Sequence, residues 1–66
     1  MRLKTVAERI KEARLEKGIT QLELANLCDI SVSAVQMYEI GQRVPRDQVK
    51  VKLADALEKP IQDLFF

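Results

Sequence analysis

The chain contains no histidine and no tryptophan, with one cysteine and one tyrosine among 66 residues. A single thiol cannot close a disulfide within the chain. With no imidazole to add, the ligands for a transition-metal site are lacking, so no metal and no cofactor are expected. The same lack removes histidine-based acid–base and nucleophilic catalysis, and no pair of carboxylates is set apart by the sequence, so an enzyme is not expected. Glycine and proline number two each, too few for a collagen-like or low-complexity chain. No apolar run approaches the roughly 20 residues that a membrane span requires. The opening MRLKTVAERIKEAR has no apolar stretch of the signal-peptide kind, which points to a cytoplasmic protein. Charge of one sign is also lacking, since 11 cations face 10 acids for a net +1.

What is present is a helix-favouring globular mixture, 47% hydrophobic and 32% charged. A domain near this size buries only about 60% of the surface its unfolded chain exposes, so the core has to be packed economically. No repeat or linker divides the chain, and residues 1–66 read as one domain.

Punctuation cuts the sequence into five short helical pieces. Thr5 and Glu8 have capping-box spacing, in which hydroxyl and carboxylate satisfy free N–H groups at a helix start. Val6, Ala7, Ile10, Ala13 and Arg14 then share one face up to Lys17, and Gly18 suits the left-handed position after the helix. Thr20 and Glu23 repeat the box before Gln21–Cys28, with Leu24, Ala25, Leu27 and Cys28 as its apolar positions. Ser31 caps a third helix from Val32 to about Ile40, closed by Gly41. After the polar loop 42–46 a fourth helix runs from about Asp47 to Glu58, with Val49, Val51, Leu53, Ala54 and Leu57 inward. Lys59 and Pro60 break it, and Pro60 suits the first turn of a short helix, Ile61–Phe65. No segment holds a two-residue alternation long enough for a strand, so the class is all-α.

The informative stretch is TQLELANLCDISVSAVQMYEIG, residues 20–41. Two helices of about eight residues joined by so short a turn cannot lie antiparallel and have to cross steeply. Ala25 lets the backbones approach, Ile30 plugs the space between them, and Val35 faces inward. The outward face of the second helix is Val32, Ser33, Gln36 and Met37, none of them charged. Such a face can enter a DNA major groove, where Gln pairs with adenine, Ser with several base edges, and Val or Met with thymine methyls.

These residues resemble the Cro/CI-type (XRE-like) helix-turn-helix family of phage repressors and small bacterial regulators. The resemblance runs from about Val6 to Phe65. It is carried by Arg14, Gly18, Thr20-Gln21, Leu24-Ala25, Ile30-Ser31, Ala34-Val35, Glu39, Gly41, Pro45, Leu53-Ala54, Ala56-Leu57 and Leu64-Phe65 as an ordered series. It implies a compact five-helix, lambda-repressor-like DNA-binding domain with the helix-turn-helix at about residues 20–40. It further implies base reading by Val32, Ser33, Gln36 and Met37, and phosphate contacts by Thr20, Gln21, Ser31, Arg43 and Arg46. Arg14 and Glu39 match a structural pair bridging the first and third helices. Asp29 departs from the family's turn glycine, at a left-handed position that Asp tolerates better than most residues. Cys28 stands for a core leucine and reads as a small buried hydrophobe. Ile40 replaces a polar residue, and Asp47 and Lys50 replace apolar or small ones, which blurs the start of the fourth helix.

Plainer readings stand beside these. Ser33, Gln36 and Met37 could form a solvated helix face, Val32 a staple, Arg43 and Arg46 ordinary loop cations, and Arg14–Glu39 an exposed pair worth almost nothing. The local charge pattern favours the sharper reading: residues 41–52 hold Arg43, Arg46, Lys50 and Lys52 against Asp47, whereas 53–66 hold Lys59 against Asp55, Glu58 and Asp63. The expected function is a sequence-specific, repressor-like transcriptional regulator, a homodimer on a two-fold symmetric double-stranded DNA operator, with no small-molecule effector implied. Ile61, Leu64 and Phe66 are the expected dimer contact, because the LFF end offers more apolar surface than so small a core encloses. The alternative is a protein-interaction module of the same fold, such as an antitoxin whose main partner is a protein.

Overall fold

The computed structural model describes residues 4–66. Both capping boxes form. The Thr5 hydroxyl accepts from the Glu8 N–H at 3.1 Å, and the Glu8 carboxylate accepts from the Thr5 N–H at 3.0 Å. They start α1 (Val6–Lys17), which Gly18 ends at φ 75°. Thr20 and Glu23 repeat the exchange at 3.0 and 2.9 Å and start α2 (Gln21–Cys28). Ser31 caps α3 (Val32–Glu39) by accepting from the Ala34 N–H at 3.1 Å. α4 (Asp47–Leu57) and α5 (Ile61–Phe65) follow, and Pro60 stands just before α5 as its N-cap. No strand occurs among the described residues.

α2 packs on α3 and α4, α1 on α3 and α5, and α4 on α5, so every helix touches one shared core. Ile10, Leu24, Val35, Leu53 and Cys28 are its most enclosed side chains. Burial also pushes the Cys28 thiol up, which Lys52 opposes only in part, so the sulfur stays protonated and packs as a hydrophobe. Ile30 is half-buried against the core, and its N–H donates to the Ala25 carbonyl at 3.0 Å, which fixes the tight turn from α2 to α3.

Three expected core or surface positions differ. Leu27 is exposed, because it lies about 100° around α2 from Cys28, off the stripe of Leu24, Ala25 and Cys28. Val51 is exposed as well: helical phase puts it about 110° from the centre of the stripe of Leu53, Ala54 and Leu57, whereas Val49 keeps partial burial. Leu64 is 2% exposed, inside the core, and is therefore not free for contact with a second copy. The neighbouring Phe65 closes the core, while Phe66 stays 78% exposed.

Two acids rather than glycines adopt left-handed backbone, Asp29 at φ 55° and Glu58 at φ 56°, each ending a helix. The conformation costs an ordinary residue roughly 1–2 kcal/mol and glycine nothing. Asp29→Gly is expected to stabilise the fold by up to about 1 kcal/mol, because Asp already bears the strain better than most residues. Urea unfolding measures it, and a lowered midpoint would show that the Asp29 side chain contributes more than its backbone loses.

Candidate nucleic-acid interface

The helix-turn-helix is held by one carboxylate. Glu39, near the end of α3, takes Arg14 of α1 side-on: Arg14 Nε donates to Oε2 at 2.7 Å and Nη2 to Oε1 at 3.1 Å. Side-chain exposure is 10% for Arg14 and 2% for Glu39, so this is a buried pair and not a solvated one. Arg14 Nη1 donates also to the Ile19 carbonyl at 2.9 Å, tying down the α1–α2 turn. Glu39 Oε1 accepts a third bond, from the Gln21 side-chain Nε2 at 3.1 Å. The carboxylate therefore joins α1, α2 and α3 at a single point, and no buried side-chain polar atom among the described residues lacks a partner.

The expected contact residues lie at the starts of α2 and α3, along α3, and in the loop that follows it up to the N-cap of α4. Ser33 and Gln36 are exposed on α3, with Met37 half-buried beside them. Val32 is half-buried and packs against the core, so it serves the fold as a staple whatever else it does. Gln21 is half-buried at the first turn of α2. A side-chain amide nitrogen carries two N–H donors, and Glu39 takes one, leaving the other. The Thr20 and Ser31 oxygens accept at the helix caps, which leaves each hydroxyl proton free to donate outward. Arg43 is exposed in the loop after α3, and Arg46, also exposed, is the N-cap residue of α4 without a side-chain cap bond. Among the described residues, the exposed or part-exposed ion pairs Lys4–Glu12, Lys17–Glu58, Lys50–Asp47 and Lys59–Glu16 include neither arginine. Neither has a side-chain partner among the described residues.

At the far end, Phe66 is held as well as exposed. Its carbonyl accepts from Arg9 Nη1 at 3.2 Å, and the Lys50 ammonium lies 5.6 Å and 6.0 Å from the ring centroids of Phe65 and Phe66. Ile61 is half-buried against the core. Sequence reasoning did not find the Gln21–Glu39 bond, which only the steep crossing of α2 and α3 brings about, nor the Arg14–Ile19 bond, which depends on the shape of the α1–α2 turn. It also missed the Lys50 contact with the two rings, for which the chain offers no local signal.

A helix-turn-helix family model matches residues 10–64, which covers most of the chain. The chain belongs to the helix-turn-helix family. Among curated relatives, the cryptic phage CTXphi transcriptional repressor RstR of Vibrio cholerae is 36% identical over 59 residues, covering 89% of this chain and 53% of RstR. Multiprotein-bridging factor 1b of Arabidopsis thaliana is 42% identical over 48 residues, 73% of this chain and 34% of that protein. The chain thus spans between a third and about half the length of these relatives. Among solved structures, the restriction-modification controller protein C.AhdI of Aeromonas hydrophila superposes with a TM-score of 0.87 at 37% identity over 91% of both chains. The P22 c2 repressor, solved with a synthetic operator, gives 0.92 over 96% of both chains at 24% identity, a likeness of fold alone.

The buried pair sets a prediction. Glu39→Gln removes the charge that compensates Arg14, and breaking such a pair costs about 3–5 kcal/mol. Gln21→Ala leaves Arg14 and Glu39 together and loses one hydrogen bond to a charged group, about 1.5–3 kcal/mol at most. Chemical denaturation of both variants should rank them in that order, and equal losses would mean that the Arg14–Glu39 pair is not the dominant partner.

Proposed function

We propose that the chain is a sequence-specific, repressor-like DNA-binding transcriptional regulator that reads the major groove with α3 as a homodimer. The observation that carries this is the α3 face. Ser33 and Gln36 stand exposed and uncharged, hydroxyl protons at the Thr20 and Ser31 caps are free to donate, and Arg43 and Arg46 follow α3 in the chain, exposed and unpaired. Amide and hydroxyl groups can read base edges, while the hydroxyl, amide and guanidinium donors hold phosphates. Gln21 fits the second set, because the carboxylate of Glu39 fixes its nitrogen and leaves one N–H to donate. Family membership, the repressor relative and the controller-protein structure support a regulator and not an enzyme. On this reading the 66 residues act as one DNA-binding unit in the cytoplasm. No helix among the described residues is long and apolar enough to cross a membrane.

A dimer follows from the scarcity of cations. Few phosphate contacts per copy make a lone copy weak, and linking two copies on a two-fold operator raises affinity without new kinds of contact. The molecule measures 34 × 23 × 23 Å, so two copies side by side bring their α3 helices within reach of the roughly 34–36 Å spacing of successive major grooves. Phe66 and the half-buried Ile61 are the contact we assign to the second copy. A protein-interaction module of the same fold is the second reading, favoured by the identity with multiprotein-bridging factors and by the exposed Phe66 ring.

Selection from random duplex DNA tests the main reading, which requires a two-fold symmetric consensus; recovery of unrelated sequences favours the second. On the selected site, Gln36→Ala should cost ~1–3 kcal/mol and leave binding to random DNA unchanged. Arg43→Ala should weaken both alike and lower the salt slope by about one. Equal effects of the two variants would remove the division between base and phosphate contacts. Phe66→Glu should lower the mass seen by analytical ultracentrifugation and weaken binding to a full palindrome more than to a half-site. An unchanged association state would move the subunit contact elsewhere, toward Ile40 and the loop after Gly41.

A further inference from the structure

Beside the end of α3 lies a groove of about 480 Å³, between the start of α1 and the loop that leaves α3. Its walls are mostly apolar: Val6, Ala7, Ile40, Val44 and Pro45. Ile40 and Val44 are 65% and 76% exposed, so this surface is not consumed by the core. Tyr38 also lines the groove. It is 93% buried, counting from its 7% exposure, yet its hydroxyl bonds to no described residue. That oxygen is not sealed from the exterior, and Tyr38 is one of the residues that line the groove. Three charged groups line it as well. Glu39 is saturated by Arg14 and Gln21, and the Glu8 carboxylate is engaged by the Thr5 N–H. Arg43 has no carboxylate partner among the described residues.

A concave apolar surface of this size with a few convergent polar groups is what small-molecule sites share. The free polar groups are a guanidinium, which only donates, and a phenolic hydroxyl, which can donate. We propose that this groove binds a small amphipathic acid, its carboxylate held by Arg43 and Tyr38 and its apolar body laid against Ile40, Val44 and Pro45. The site goes beyond the DNA-binding reading, and only one consequence rests on that reading: if Arg43 also holds a phosphate, acid and DNA compete for it. An acid of this class then weakens DNA binding, an input the sequence does not announce.

Octanoate, kept below its micelle concentration, is a suitable probe, with octanol as the uncharged control. Titration into the ¹⁵N-labelled full chain without DNA should give saturable amide shifts at Ala7, Gly41 and Val44. Tyr38→Phe and Arg43→Ala should each weaken binding about tenfold, the loss of one hydrogen bond to a charged group. Val44→Glu, at an exposed position where the fold is not at stake, should abolish it. Non-saturating or scattered shifts, equal binding of octanol, or parent-like binding by Tyr38→Phe would each overturn the site. In a second arm, octanoate should weaken binding to duplex DNA by the parent but not by Val44→Glu. If it binds the protein and leaves DNA affinity unchanged, the site stands and the shared use of Arg43 is overturned.

Discussion

The Glu39 carboxylate is the constraint on which the arrangement of the first three helices depends. An ionised carboxylate accepts and cannot donate, so it can draw in several donors at once but has to have them when buried. Here it receives the Arg14 guanidinium from α1 and the Gln21 amide from α2. Arg14 in turn reaches the Ile19 carbonyl between those helices. Hydrophobic packing brings α2 and α3 together but is tolerant of small slips. A planar guanidinium against a planar carboxylate is not, and its side-on geometry fixes how α3 lies across α1 and α2. That orientation decides which α3 residues face outward. The outward placing of the uncharged Ser33 and Gln36 thus depends on a buried charge near the end of the same helix.

Charge elsewhere is sorted so that the near-zero sum conceals local differences. Around α1 and the C-terminal helices, cations and acids sit opposite each other, as in Lys17–Glu58 and Lys59–Glu16. Exposed pairs of this kind add little stability, and their main effect is to cancel the local field. The Glu58 carboxyl is held below its usual range by hydrogen bonding and charge from Lys17, the mark of a local pair. Arg43 and Arg46 are left uncancelled next to α3. A field concentrated on one side can orient an approaching polyanion even when the whole chain carries a net charge of +1.

Helix boundaries were largely legible because each is written in local chemistry. Thr5–Glu8, Thr20–Glu23 and Ser31 satisfy free N–H groups within three residues, and Gly18 accepts a conformation most residues resist. Side-chain facing was legible only where the helical phase was unambiguous. Val51 was expected inside, and Leu27 is one of the apolar positions of α2, but a stripe is an angle and not a composition, and both lie off it. Leu64 shows the converse, since the LFF end gives no local sign of which ring or branch the core takes. Within the candidate site, Ser33, Gln36, Arg43 and Arg46 could be singled out from pattern and resemblance. The Gln21 bond to Glu39, the groove and the Lys50 contact with Phe65 and Phe66 arise from groups far apart in sequence. Only the folded crossing of the helices sets their distances.

The candidate interface is made largely from groups the fold has already immobilised. The Thr20 and Ser31 hydroxyls are fixed as helix caps, and the Gln21 amide is fixed by Glu39. Ordering a flexible side chain on binding costs about 0.5–1.5 kcal/mol, which groups held beforehand avoid. On the proposed reading, a domain of this size offers little contact area, and its few free cations supply little through counterion release. What remains is to lose little on binding. Capping residues then serve twice, as acceptors for the helix and as donors toward the solvent side. This explains why the positions most easily recognised as helix starts are also those that frame the candidate interface.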